Sequence, residues 1–154
     1  MRRLSKPYNK HINKVTNGYL WDGDSIQWVL SDRDIPPVAV RSRRAQTKEY
    51  VSELNYGLAL TAQGMEYRRF LGRPGLLSYP ARVTRKGNET FYELALPWRE
   101  SGLSPRSDRA VRFSLVVFDK TMEARPGASY QLAVTPGVAR FMDAGFYRLL
   151  VFEK

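Results

Sequence analysis

The chain has 154 residues, 43% of them hydrophobic and 12% aromatic, enough apolar material for one ordinary core and too little for several domains. No window approaches the roughly 18 uninterrupted apolar residues of a membrane helix, so no membrane span is expected, and no apolar signal core follows the basic start Met1-Arg2-Arg3-Leu4-Ser5-Lys6. Cysteine is absent, which excludes disulfides, thiolate metal sites and a cysteine nucleophile, while 25 Lys plus Arg against 15 Asp plus Glu leave a formal charge of +10 that raises nucleic acid or another polyanion as a partner.

Residues 1–18 are polar and basic, with Asn9, Asn13 and Asn17, and are expected to form an irregular lead-in to a single domain over 19–154. The Asp22-Gly23 step marks a turn. After it Ile26, Trp28 and Leu30 alternate with Ser25, Gln27 and Val29, the period of a half-buried strand. Ser31 to Arg44, with Asp32, Asp34, two prolines and four arginines, is expected to be a long exposed loop. Tyr50 to Thr61 reads as the next strand, with Leu54, Tyr56, Leu58 and Leu60 on one side and Gly57 marking a bulge or a close approach. Short strands follow at Tyr67–Leu71 and Ala81–Arg85, separated by the turn Gly72-Arg73-Pro74-Gly75. After the hairpin turn Lys86-Gly87-Asn88-Glu89, a strand from Thr90 to Leu96 stops at Pro97, and Trp98 to Leu103 offers one helical turn. Ala110 to Phe118 alternates strongly, with Val111, Phe113, Leu115 and Val117 on one side. Ser129–Val134 and Phe146–Phe152 close the chain around Thr135-Pro136-Gly137. About seven short strands without sustained helical periodicity predict an all-β fold, an antiparallel, jelly-roll-like β-sandwich.

Little of this supports catalysis. His11, the only histidine, lies in the lead-in with no triad spacing around it, and no glycine-rich phosphate loop occurs. The candidate acids Asp22, Asp24, Glu93 and Asp119 stand on different segments, and Glu93 falls in the exposed register of its strand, so no enzyme activity is expected. Asp22, Asp24, Asp32 and Asp34 offer oxygen ligands that would suit Ca²⁺, but their spacing is not that of the twelve-residue calcium loop, and turn capping accounts for them as well. Haem would need His11 with Met122 or Met142, a poorly anchored pair. Arg41, Arg43 and Arg44 form one cationic cluster and Arg68, Arg69 and Arg73 another. The remaining arginines are dispersed, so nucleic acid is not the expected partner. Sugar recognition needs flat rings for the pyranose C–H face and a few polar groups for the hydroxyls. Trp21 beside Asp22, Asp24 and Gln27 has that mixture, although on chemistry alone a tryptophan at a strand entrance is more often core than ligand platform.

Trp21-Asp22-Gly23-Asp24-Ser25-Ile26-Gln27 resembles the W-x-x-D-S-[VI]-[EQ] strand of family 9 carbohydrate-binding modules. Later segments follow in that family's order. Tyr92-Glu93-Leu94-Ala95-Leu96-Pro97-Trp98 resembles Y-E-x-A-[IL]-P-W, and Val111 to Asp119 resembles the following F-x-[LV]-x-V-x-D strand. Arg125-Pro126-Gly127, Thr135-Pro136-Gly137-Val138, Asp143 and Phe146 are similar to the closing positions. The resemblance covers residues 19–152. It implies a β-sandwich that binds polysaccharide or oligosaccharide (xylan or glucan) without catalysis, appended to or associated with a glycoside hydrolase in carbohydrate catabolism and located outside the cell or in its envelope. Carried over, Trp21 is one sugar-gripping ring and Phe141 the second, Gln27 is the hydroxyl partner, and Asp24, Pro97, Trp98, Asp119 and Gly137 are structural motif positions. Ca²⁺ is known in the family, with no ligand set that maps here. Gln27 stands where binding members have Glu, Phe141 stands for Trp, and the family's sugar-holding arginine has no counterpart in Asn55-Tyr56-Gly57. The family's opening strands are also missing ahead of Trp21, so the chain is expected to be the C-terminal portion of a module, or to start at a misassigned codon. The competing expectation is a basic β-sandwich that binds a polyanion through the Arg41–Arg44 loop, or a protein-contact module that has lost sugar binding.

Overall fold

The computed structural model describes residues 20–32, 35, 37–41, 48–61, 63–71, 73–87, 89–103, 110–119, 130–139 and 144–152. The strands are β1 (Ser25–Ser31), β2 (Val38–Arg41), β3 (Lys48–Val51), β4 (Glu53–Thr61), β5 (Gly64–Arg69), β6 (Gly75–Leu76), β7 (Ala81–Lys86), β8 (Glu89–Leu94), β9 (Ala110–Asp119), β10 (Tyr130–Ala133) and β11 (Arg148–Val151). The described helices are single turns, α1 (Trp98–Ser101) and α2 (Pro136–Ala139), with 3-10 turns at Leu20–Asp22 and Ala144–Phe146. The fold is all-β and every pairing is antiparallel. One seven-stranded sheet runs β10-β9-β1-β4-β5-β6, with β11 sharing the outer edge of β9 with β10. Beside it stand two separate hairpins, β2–β3 and β7–β8. Among the described residues, the layer facing the large sheet is the β7–β8 hairpin.

The expected loop from Ser31 to Arg44 needs correcting, because it contains β2. Val38-Ala39-Val40 has the β-branched composition of a strand but is too short between Pro37 and the arginines to show a period, and its partner β3 lies beyond residue 47. The single strand expected over Tyr50–Thr61 is divided at Ser52, whose carbonyl accepts from Asp32 N at 3.2 Å and closes the base of the β2–β3 excursion.

Register places Ile26, Trp28 and Leu30 opposite Leu58, Tyr56 and Leu54 on one side and opposite Val117, Leu115 and Phe113 on the other. These residues form the larger core with Tyr67, Leu103, Ile35 and Val111, against which Ala81, Val83 and Tyr92 of the hairpin pack. Trp28 stacks on Tyr56 at 5.5 Å and tilts against Tyr67 at 5.6 Å, and Tyr79 meets Tyr67 edge-on at 6.5 Å. Rings of this size bury large apolar areas and gain about 1 kcal/mol per pair beyond burial, so this quartet anchors the centre of the sheet. At its border Arg69 is ion-paired with Glu100 of α1, and the Tyr79 hydroxyl donates to Glu100 Oε2 at 3.0 Å, which fixes α1 on β5.

The opposite face is also covered. Val29, Val116 and Phe118 pack under Val138 of α2 and under Tyr147, with Trp21 at the margin. The Ser114 and Thr135 hydroxyls share a buried 2.8 Å hydrogen bond that ties the Thr135-Pro136-Gly137 turn to β9. Cover on both faces explains why seven of the first eight residues of β4, Glu53 to Ala59, are buried in sequence rather than alternately.

Candidate functional site

The second face of the sheet carries two of the residues that sequence marks for ligand contact, Gln27 and, at its margin, Trp21. Its construction starts at Ser25, fully buried, whose hydroxyl donates to Leu20 O at 2.8 Å with Gly23 O beside it at 3.3 Å. Gly23 N also donates to Leu20 O, at 3.2 Å, so the 3-10 turn is clamped onto the start of β1. This clamp is the physical content of the Trp-x-x-Asp-Ser spacing, because it holds the intervening Trp21 half-buried on the face. The indole lies against Phe70, ring centroids 5.3 Å apart and planes 60° apart.

Phe70 follows β5, and its N–H continues the ladder to Asn55 O at 2.7 Å. Its ring lies over Gly57. A Cβ at that position would come within 2.7 Å of Phe70 Cε2 and 3.2 Å of Leu20 Cδ1. Gly57 is therefore a close-approach glycine, one of the two roles its strand context allowed. It admits the ring on which Trp21 rests. Phe70 was not singled out by sequence, because a lone aromatic after two arginines carries no period; the available signal was a strand-interior glycine with nothing to pack against.

Gln27 and Asn55 share this face, and the Gln27 amide donates to Asn55 Oδ1 at 2.9 Å. Gln27 is directly opposite Gly57 on β4, and Gly57 is directly opposite Arg68 on β5. With strands about 4.8 Å apart, Gln27 and Arg68 flank the Phe70 ring from about 10 Å apart. The sequence offered no counterpart for a sugar-holding arginine on the strand of Asn55-Tyr56-Gly57. The register brings Arg68 to the face from the next strand instead. Arg68 Nη2 donates to Glu66 Oε2 at 3.2 Å, while its buried Nε has no hydrogen-bond partner.

The rings touch each other, so no slot for a sugar lies between Trp21 and Phe70; what they present is a tilted, half-buried apolar surface on the face that also carries the half-buried Gln27 amide and Arg68, while the Asn55 side chain is buried. Phe141, expected as the second ring, lies outside the described residues, as do His11, Asp34, Arg43, Arg44, Met122, Met142, Asp143 and Arg125-Pro126-Gly127.

The other motif positions are distributed around the sheet. Asp24 precedes β1 and Asp119 ends β9, and both carboxylates act on Tyr92 of β8. Burial first, then these two charges, push its phenol up to about 12. Pro97 ends the β8 segment and stands at the N-cap of α1. Trp98 is 39% exposed and meets Phe152 edge-on at 4.7 Å. Gly137 is buried within α2. Glu93 lies on the outer side of the hairpin opposite Arg82, so it shares no cleft with Asp24 or Asp119. Asp24 and Asp32 flank β1 at its two ends, on the order of 25 Å apart, too far to ligate one Ca²⁺. Among the described residues, no group of three or more acidic or histidine side chains could hold a metal ion, and no helix is long and apolar enough to cross a membrane.

No protein-family model, curated protein or solved structure matches the chain.

Proposed function

We propose that the Trp21–Phe70 face binds carbohydrate without catalysis, as a module of, or accessory to, a glycoside hydrolase acting on plant-type polysaccharide outside the cell or in its envelope. The observation that carries this reading is the half-buried Trp21 ring leaning on Phe70 at 5.3 Å, on the same sheet face as the Gln27–Asn55 amide pair. Stacking of pyranose C–H groups on such rings supplies affinity, and the amide and guanidinium groups supply orientation. The motif order from Trp21 to Phe146 supports the same reading.

The placement of the cations, rather than their surplus, favours it over general polyanion binding. On the outer side of the hairpin, Arg82 stands opposite Glu93 and Lys86 opposite Glu89, and Arg69 is consumed by Glu100, so these cations form no continuous basic surface. Titration with xylo- and cello-oligosaccharides, followed by tryptophan fluorescence, tests the proposal. Saturable binding that survives 0.15–0.5 M salt is the expected result, as neutral-sugar contacts are not screened over roughly these ionic strengths. Absence of any sugar response, with salt-sensitive binding to nucleic acid, would overturn it.

A further inference from the structure

We infer that Arg68 makes this face selective for glycans bearing carboxylates, that is, uronic-acid-substituted chains; the inference rests on the carbohydrate reading above. Arg68 is placed by register rather than by motif. It lies across Gly57 from Gln27 and one same-face position along β5 from Phe70, so the register puts Arg68 on the strand position next to the ring pair.

The hydrogen bonding of this guanidinium is incomplete. Its Nη2 is taken by Glu66, but Nε is removed from water and has no partner, while a quarter of the side chain stays exposed. A buried N–H without an acceptor costs free energy, which an arriving acceptor recovers once the guanidinium turns that N–H outward to meet it. The acceptor that matches a planar Nε–Nη edge in geometry and charge is a carboxylate, which can take both hydrogens at once, whereas a sugar hydroxyl takes one. Glu66 accepts from this edge through Nη2 alone, at 3.2 Å. It holds the guanidinium in place while competing for it. The +10 charge of the whole chain adds long-range attraction for a chain of carboxylates, without requiring a basic patch at the site.

The test compares oligosaccharides of equal length: xylohexaose and cellohexaose against glucuronate-substituted xylo-oligosaccharide and oligogalacturonate, by calorimetric titration, with single-stranded DNA as a phosphate control. The acidic sugars are expected to bind about tenfold tighter than the neutral ones, and Arg68→Lys to weaken the acidic sugars more than the neutral ones, so that the preference is lost. Glu66→Gln, which removes the competing anion, is expected to tighten the acidic sugars by about three- to tenfold. Thermal midpoints of both variants separate these effects from unfolding. Equal affinity for neutral and acidic sugars, unchanged in Arg68→Lys, would overturn the inference and leave the carbohydrate reading standing. Tighter Arg68-dependent binding of DNA than of uronates would overturn it in favour of phosphate recognition. Failure to bind any sugar would overturn both.

Discussion

Ser25 and Gly57 decide where Trp21 stands, one by a hydrogen bond and the other by the absence of a side chain. Removing the Ser25 hydroxyl takes a 2.8 Å hydrogen bond from Leu20 O and leaves a fully buried position underfilled. Ser25→Ala is therefore expected to cost about 1–2 kcal/mol in denaturant unfolding and to weaken sugar binding, because the turn that carries the indole is released. Gly57→Ala acts from beneath. Its methyl would meet the Phe70 ring at 2.7 Å, so Phe70 must shift and Trp21 with it. A loss of about 1–3 kcal/mol is expected, together with weakened binding. If the contact with Phe70 is the cause, the stability cost should largely disappear when Gly57→Ala is made in a Phe70→Ala background, a coupling that a double-mutant cycle measures directly.

At the scale of elements, β1, β4 and β5 hold Trp28, Tyr56 and Tyr67, and the phenols of the two tyrosines are perturbed by their burial in this cluster. Burial is the first cause at Tyr56 and Tyr67, reinforced by the Glu100 charge, and it raises both phenols above the ordinary tyrosine range; Tyr92 is raised to about 12. A phenol whose pKa is higher in the folded than in the unfolded chain contributes stability that is fully present below about pH 10 and is lost as pH rises through the folded value. Stability should thus be flat with respect to these groups up to about pH 10 and fall beyond it. Their phenolate absorbance should appear together with loss of the circular dichroism signal rather than before it. Phenolate from Tyr56 and Tyr67 in a still-folded chain would contradict their placement.

The strands most legible in sequence were those whose alternation is strong: Ile26-Trp28-Leu30, Leu54-Tyr56-Leu58 and Val111-Phe113-Leu115-Val117 all face the larger core. β2 was not legible, since four residues carry no period. The site was legible only in part. Trp21 and Gln27 were singled out because their spacing across the turn into β1 is local, whereas Phe70, Asn55 and Arg68 join them through cross-strand register, which depends on which strands pair and is not written in any one segment.

The molecule as a whole sets a large sheet against a two-stranded hairpin, and the outer edge built by β10 and β11 carries apolar side chains to the surface, with Leu132 77% and Leu149 70% exposed. Charge on such an edge discourages strand-to-strand association. The double change Leu132→Lys and Leu149→Lys is accordingly expected to raise the protein concentration at which light scattering detects association, with little effect on the thermal midpoint. The net charge, the first feature of the chain to suggest a partner, acts at this same scale, as solubility and long-range attraction, while recognition is assigned to one face. The central claim is that Trp21 is a ligand platform rather than a core residue, and the most direct test is oligosaccharide titration of Trp21→Ala alongside its thermal unfolding. The account predicts a loss of affinity of about tenfold or more, with the chain still folded. Unchanged affinity, or a chain that no longer folds, would contradict it.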